Sequence, residues 1–176
     1  MRAKRIFILG TVGSGKSTFA KKLSKILKIK HYDLDDVFWS RKFNKKRSEV
    51  NRDKEFKELC DKKEWIIEGV YSTWIDYGIK KSNLVVLLKI PKISLSWRIT
   101  KRSLKREKQK KLGKKRYKQN FKDYLGLLKA VNNYYKKKFA RGYYKHKELI
   151  DNHKVDFVVL KTNKQINNFF DDIARV

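Results

Sequence analysis

The chain is short of proline, cysteine and acid, and each shortage excludes something. Pro91 is the only proline among 176 residues, and no Ser- or Gly-rich stretch accompanies it, so no compositional break marks a domain boundary. Cys60 is the only cysteine, which excludes a disulfide framework and a thiolate metal site. No apolar run is long. Arg5-Ile6-Phe7-Ile8-Leu9 ends at a glycine after five residues, too short for a signal peptide or a membrane span; the expectation is a cytoplasmic protein with no membrane partner. Acids number 18 against 47 Lys plus Arg, a net charge of +29. That excess is a surface property and says nothing directly about fold. Nor does it imply disorder, because the chain is 40% apolar and 13% aromatic, enough to offset the entropy of ordering it. The length suits one domain.

What is present is a recurrence of short apolar runs. They are Arg5–Leu9, a weaker Lys30–Leu34, Trp65–Glu68, Leu84–Leu88 and Val155–Leu160, separated by polar stretches with helical periodicity. Four of the five are nearly continuous rather than alternating, the pattern of strands covered on both faces, and this predicts an α/β fold with a parallel sheet. Between Leu88 and Val155 the strand signal stops. Phe121, Tyr124, Leu128, Val131 and Tyr135 step by three or four along one helical face. A pair of antiparallel helices turning near Gly113 is expected, forming a lid or arm over about 92–147.

Gly10-Thr11-Val12-Gly13-Ser14-Gly15-Lys16-Ser17-Thr18 fits G-x-x-x-x-G-K-[ST], preceded by a strand and followed by an amphipathic run. The glycines let successive backbone N–H groups converge on phosphates, the helix N-terminus adds its positive end, Lys16 reaches the β- and γ-phosphates, and Ser17 ligates magnesium. The loop residues Gly10, Gly13, Ser14, Gly15, Lys16, Ser17 and Thr18 are therefore the expected nucleotide contacts, with ATP and Mg²⁺ as cofactors. In an open parallel sheet, ligands sit beyond the carboxyl ends of strands. Glu68 ends the third run and is the candidate second magnesium ligand beside Ser17. Asp33, Asp35 and Asp36 close the second run. Asp35 is the first choice for orienting an acceptor hydroxyl, with Asp33 in reserve, while Asp35 or Asp36 could equally cap a helix. After Pro91, Arg98, Arg102 and Arg106 recur every four residues on one helical face, where an anion would collect them. Arg98 and Arg102 are the candidates for neutralising a transferring phosphoryl group. His31, His146 and His153 lack metal-ligand spacing and receive no role. Trp39 and Tyr71 read as packing residues first and acceptor-pocket walls second.

The loop Gly10–Thr18, Leu34-Asp35-Asp36-Val37-Phe38-Trp39, Trp65–Tyr71 and Pro91 with Trp97-Arg98 and Arg102 resemble the P-loop proteins known as DNA topology modulation proteins, of the adenylate-kinase-like superfamily. That resemblance implies a three-layer sandwich around a five-stranded parallel sheet of order 2-3-1-4-5 with a helical lid. It implies that Arg98 and Arg102 act as lid arginines on ATP, and that Glu68-Gly69 stands where the adenylate kinases have Asp-Gly. No Phe-Pro-Arg follows Gly69, so the resemblance supplies no arginine to clamp AMP.

Two functions follow from these residues. The first is a kinase-like enzyme transferring the γ-phosphoryl group of ATP to a small acceptor, a nucleotide or nucleoside among the candidates. The alternative is an ATPase associated with nucleic acid, motivated by the stretch from Arg98 to Lys122, which carries 13 basic residues and the single acid Glu107. Such a surface would bind DNA or RNA without sequence preference.

Overall fold

The computed structural model describes residues 3–41, 45–111, 121–139 and 142–175. In chain order these form β1 (Arg5–Gly10), α1 (Lys16–Leu27), β2 (His31–Asp33), α2 (Leu34–Phe38), β3 (Trp39–Arg41), β4 (Lys45–Lys46), α3 (Glu49–Cys60) and β5 (Trp65–Gly69). There follow α4 (Asp76–Lys81), β6 (Leu84–Leu88), α5 (Lys92–Lys111), α6 (Phe121–Tyr134), α7 (Tyr143–His153), β7 (Phe157–Leu160) and α8 (Asn163–Ala174). The main sheet runs β2-β5-β1-β6-β7 with every pairing parallel. Counting its own strands alone, that is the expected order 2-3-1-4-5. β3 and β4 make a separate antiparallel hairpin.

The continuous apolar runs are explained by layers on both faces. Successive strand residues point to opposite sides, so Ile6, Ile8, Ile66, Val86 and Leu88 join Phe19, Leu23, Leu95, Ile99 and Phe170 from α1, α5 and α8. Phe7, Leu9, Ile67, Val85 and Leu87 join Leu34, Phe56, Ile75, Ile79 and Ile150 from α2, α3, α4 and α7. Ile6 through Leu9 are fully buried, and each such side chain contributes about 1.5–3 kcal/mol relative to exposure. This two-faced burial holds β1 still, and β1 carries the glycine-rich loop.

Three expectations are refined. The helix N-cap in the second run is Asp33, whose side chain accepts the Asp35 N–H at 2.9 Å, because an extended residue directly before the helix is the one whose carboxylate can reach that donor. On α6, Tyr124, Leu128, Val131 and Tyr135 do pack inward, but Phe121 is 73% exposed. All three helices of the strand-free segment pack on the core: α7 through Leu149 and Ile150 on one face of the sheet, α5 and α6 through Leu95, Ile99 and Val131 on the other. The expected turn at Gly113 lies outside the described residues.

Candidate active site

The loop after β1 turns on glycines that a side chain would strain. Gly13 and Gly15 have φ of +77° and +94°, the left-handed region that only glycine enters readily. Gly15 is also the N-cap of α1, and this cap supplies no side-chain hydrogen bond and is followed by no acid in the first turn. Ser48 caps α3 and Thr162 with Gln165 forms a capping box on α8, whereas α4 and α7, like α1, have no side-chain cap. Unlike those of α4 and α7, the positive end of α1 opens into a cleft, lined by Gly15, Lys16, Ser17 and Thr18, where a ligand of negative charge would be favoured.

Lys16 is half-buried, its Nζ donating to the Thr11 carbonyl at 3.0 Å. Burial lowers its pKa, while the neighbouring Glu68, Asp35 and Asp33 carboxylates pull the other way. Glu68 is 3% exposed, and Ser17 donates to its Oε1 at 2.5 Å. Burial raises the Glu68 pKa against the pull of Lys16 and Ser17. Glu68 pairs in register with Asp33 on β2 and with Ile8 on β1, so two carboxylates stand side by side at adjacent strand ends next to the phosphate loop.

The opposite wall comes from α5. Pro91 starts this helix by accepting the Leu95 N–H, a position where its own missing N–H costs nothing. Leu95 and Ile99 bury one face and leave Arg98 and Arg102 on the side toward the loop. Arg98 donates to the Ser14 carbonyl and to Asn163 Oδ1, each at 3.2 Å. The Nε of Arg102 is buried without a hydrogen-bond partner, and burial together with Arg106 lowers its pKa. A buried guanidinium N–H left unpaired beside a second arginine is a strong acceptor-seeking group.

These walls enclose a cleft of about 370 Å³ lined by Gly13, Gly15, Lys16, Ser17, Thr18, Asp33, Asp35, Glu68, Arg98 and Arg102 among others. Of the residues singled out in the sequence, Gly10, Ser14, Asp36, Trp39, Tyr71 and Arg106 do not line it. A Cβ on Gly10 would meet Ser14 Oγ at 2.8 Å, so Gly10 serves close packing inside the loop, and Ser14 lines a second cleft. That one, about 410 Å³, adjoins the first across Gly13, Gly15, Thr18 and Arg98, and is closed by Phe19, Asn163, Asn167 and Phe170.

A chain of hydrogen bonds behind the acid wall was not legible in the sequence. The Tyr71 hydroxyl donates to Asp35 Oδ1 at 2.9 Å. His146, fully buried, has Nε2 2.8 Å from the Tyr71 carbonyl and Nδ1 2.9 Å from the Tyr134 hydroxyl. A carbonyl can only accept, so Nε2 carries the proton and Nδ1 accepts from Tyr134. Burial holds this imidazole neutral, with its pKa lowered to about 4. The route therefore runs from α6 through α7 to the cleft carboxylate.

A family model described as an AAA domain, AAA_18, matches residues 6–122, which is the loop, the acid wall and the arginine helix. The chain belongs to the AAA_18 family of P-loop proteins. An uncharacterized protein, YqaC, of Bacillus subtilis (strain 168) is 42% identical to this AAA_18 protein over 89 residues, half of each chain; the chain thus spans about half the length of that relative. Two solved structures share the fold of this AAA_18 protein. One is the shikimate kinase of Acinetobacter baumannii in complex with shikimate, at a TM-score of 0.56, 17% identity and coverage of 98% of this chain and 91% of that one. The other is a gluconokinase of Sinorhizobium meliloti 1021, at 0.57, 10% identity and coverage of 98% and 90%. The fold is the one these two P-loop kinases have.

Proposed function

We propose that this protein is a Mg²⁺- and ATP-dependent phosphotransferase that moves the γ-phosphoryl group of ATP to a hydroxyl of a small molecule. The observation that carries this reading is the meeting of the phosphate loop, the acid pair Asp33 and Asp35, and Arg98 with Arg102 in one cleft. A module that only bound ATP would need neither carboxylates opposite the loop nor a second cationic wall.

Lys16 and the α1 N-terminus hold the β- and γ-phosphates, displacing Lys16 from the Thr11 carbonyl. Ser17 Oγ and the Glu68 carboxylate, already in contact, are hard oxygen donors of the kind magnesium takes, and they would hold the ion; when bound, it supplies charge neutralisation at the phosphates. Asp35, held by Tyr71, accepts the proton of the acceptor hydroxyl as that oxygen bonds to phosphorus and the β–γ bridging P–O bond breaks, leaving ADP. Arg98 and Arg102 stabilise the charge on the transferring group. The nucleoside end extends into the second cleft toward Asn163, which Arg98 already touches, and Asn167.

The two kinases sharing the fold carry names that point to hydroxylated small molecules, which favours a polyol or hydroxy acid over a nucleotide acceptor here. The test is incubation with γ-labelled ATP and a panel of polyols, sugars, hydroxy acids, nucleosides and nucleotides. Label should move to one acceptor class and require Lys16. Release of inorganic phosphate alone, with every acceptor unlabelled, overturns the reading.

A further inference from the structure

Eight large apolar side chains are conspicuously exposed among the described residues, and five of them sit on α5 and α6: Ile93 at 87%, Trp97 at 62%, Leu104 at 67%, Phe121 at 73% and Leu125 at 48%. Their arrangement is ordered. At about 100° per residue, Ile93, Trp97 and Leu104 fall within about 40° of one another on α5. Arg98 and Arg102, which line the cleft, lie on the other side of the same helix.

The pairing of the helices extends the stripe. Lys92 Nζ contacts Asn132 Oδ1 and the Thr100 hydroxyl contacts that of Tyr124, so α5 and α6 run antiparallel. Relative to those contact lines, the α5 stripe and Leu125 are each rotated by about 60–80° in the sense that brings them to one side of an antiparallel pair. A single outward face results, with Ile93, Trp97 and Leu104 beside Leu125. Lysines flank it. Lys101, Lys105 and Lys108 on the α5 side and Lys122 and Lys129 on the α6 side are exposed, Lys101 rests 4.8 Å over the Trp97 ring, and α5 holds one acid, Glu107.

We infer that this outward face of α5 and α6 lies on an anionic lipid surface, with Ile93, Trp97, Leu104 and Leu125 entering the headgroup boundary and the flanking lysines contacting lipid phosphates and carboxylates. Apolar residues in a stripe, a tryptophan at the polar boundary and lysines on both flanks are what an interfacial helix uses. A second copy of the chain fits poorly, since each carries a net charge of +29. Nucleic acid would engage the lysines but offers nothing to aliphatic Ile93, Leu104 and Leu125. The face is turned away from the cleft, so lipid contact and ligand entry do not compete. No helix among the described residues is long and apolar enough to cross a membrane; the contact lies on the surface and involves no span.

The experiment is co-sedimentation of the full chain with vesicles of phosphatidylcholine alone and of equimolar phosphatidylcholine and phosphatidylserine, at low and physiological salt, with a single-stranded oligonucleotide as competitor. Binding to the anionic vesicles should exceed binding to neutral ones by about tenfold or more. An Ile93→Ser, Trp97→Ser, Leu104→Ser variant should lose about as much, while its thermal midpoint and ATP affinity hold, because these side chains are already in water. A Lys101→Glu, Lys105→Glu variant should lose binding at both salt concentrations. No anionic-vesicle binding at low salt overturns the inference. So does vesicle binding that the serine variant retains, or oligonucleotide binding equally strong in wild type and serine variant without vesicle binding. None of these results depends on phosphotransfer.

Discussion

The two walls of the cleft are built differently. The loop wall grows from strands buried on both faces, and most of its charged and polar groups are held from within: Lys16 by the Thr11 carbonyl, Ser17 by Glu68, Asp35 by Tyr71, while the neutral Ser14 hydroxyl is buried without a hydrogen-bond partner among the described residues. The α5 wall grows from a helix buried on one side only, and it holds a guanidinium N–H on Arg102 with no partner. The first wall holds its charged groups before any ligand arrives, with Lys16 having to let go of a carbonyl and the Ser14 hydroxyl buried without a partner among the described residues. The second is incomplete without an anion. Buried polar groups are ordinarily paired, and of the two unpaired atoms in these walls only the Arg102 Nε belongs to a cation, so it points to where a missing negative charge fits. On the proposed function the difference would also divide the labour, with the loop wall positioning phosphates that are already bound and the arginine wall serving the group that moves.

Substitutions test that division, beginning with the largest effect. Lys16→Ala removes the half-buried cation of the loop wall, and kcat/KM for phosphotransfer should fall by about 10³-fold or more; a fall of less than tenfold would place the phosphates elsewhere. Asp35→Asn keeps the shape and removes the proton acceptor, so kcat should fall by about 10²–10³-fold with the KM for ATP nearly unchanged. An equal rise in KM instead would make Asp35 a binding group.

Smaller effects probe stability on the acid side. His146 is neutral in the fold with a pKa near 4, against 6.5 unfolded. The unfolded chain therefore takes up a proton first as pH falls. The stability His146 contributes is complete above pH 6.5 and is lost between 6.5 and 4, by about 3 kcal/mol. Denaturant titrations of wild type and His146→Gln should diverge in that window, and parallel curves would contradict the neutral tautomer. Glu68 has the opposite sign: its folded pKa is raised, so ionisation costs stability above the ordinary pKa of 4.5 and not below it. Glu68→Gln should raise the melting temperature of the ligand-free protein by a few degrees at pH 8, gain nothing at pH 4, and lose the additional stabilisation that magnesium gives with ATP. An unchanged magnesium response would remove Glu68 from the metal site.

Much of the loop wall was legible because its chemistry is local. The phosphate loop is contiguous from Gly10 to Thr18, and Asp33 and Glu68 announce themselves by closing apolar runs. Parallel pairing then places the ends of neighbouring strands together, as the register of Asp33 with Glu68 confirms. The arginine spacing on α5 was equally readable. His146 was not, since a histidine among lysines and tyrosines gives no periodic signal, and only the packing of α7 under the sheet brings it to Tyr71. Which of the clustered aspartates caps α2 also escaped the sequence, because that depends on where the strand stops. The apolar stripe on α5 could be counted, but its exposure depends on which helical faces Leu95 and Ile99 bury.

The division of labour between the walls is tested most directly by calorimetry of ADP and a non-hydrolysable ATP analogue, with magnesium, against wild type and Arg102→Ala. Wild type should bind the triphosphate more tightly than the diphosphate, and Arg102→Ala should reduce that preference by about tenfold while leaving ADP affinity nearly unchanged. An equal loss for both nucleotides, or a preference that survives in Arg102→Ala, would contradict the assignment of the arginine wall to the transferring phosphoryl group.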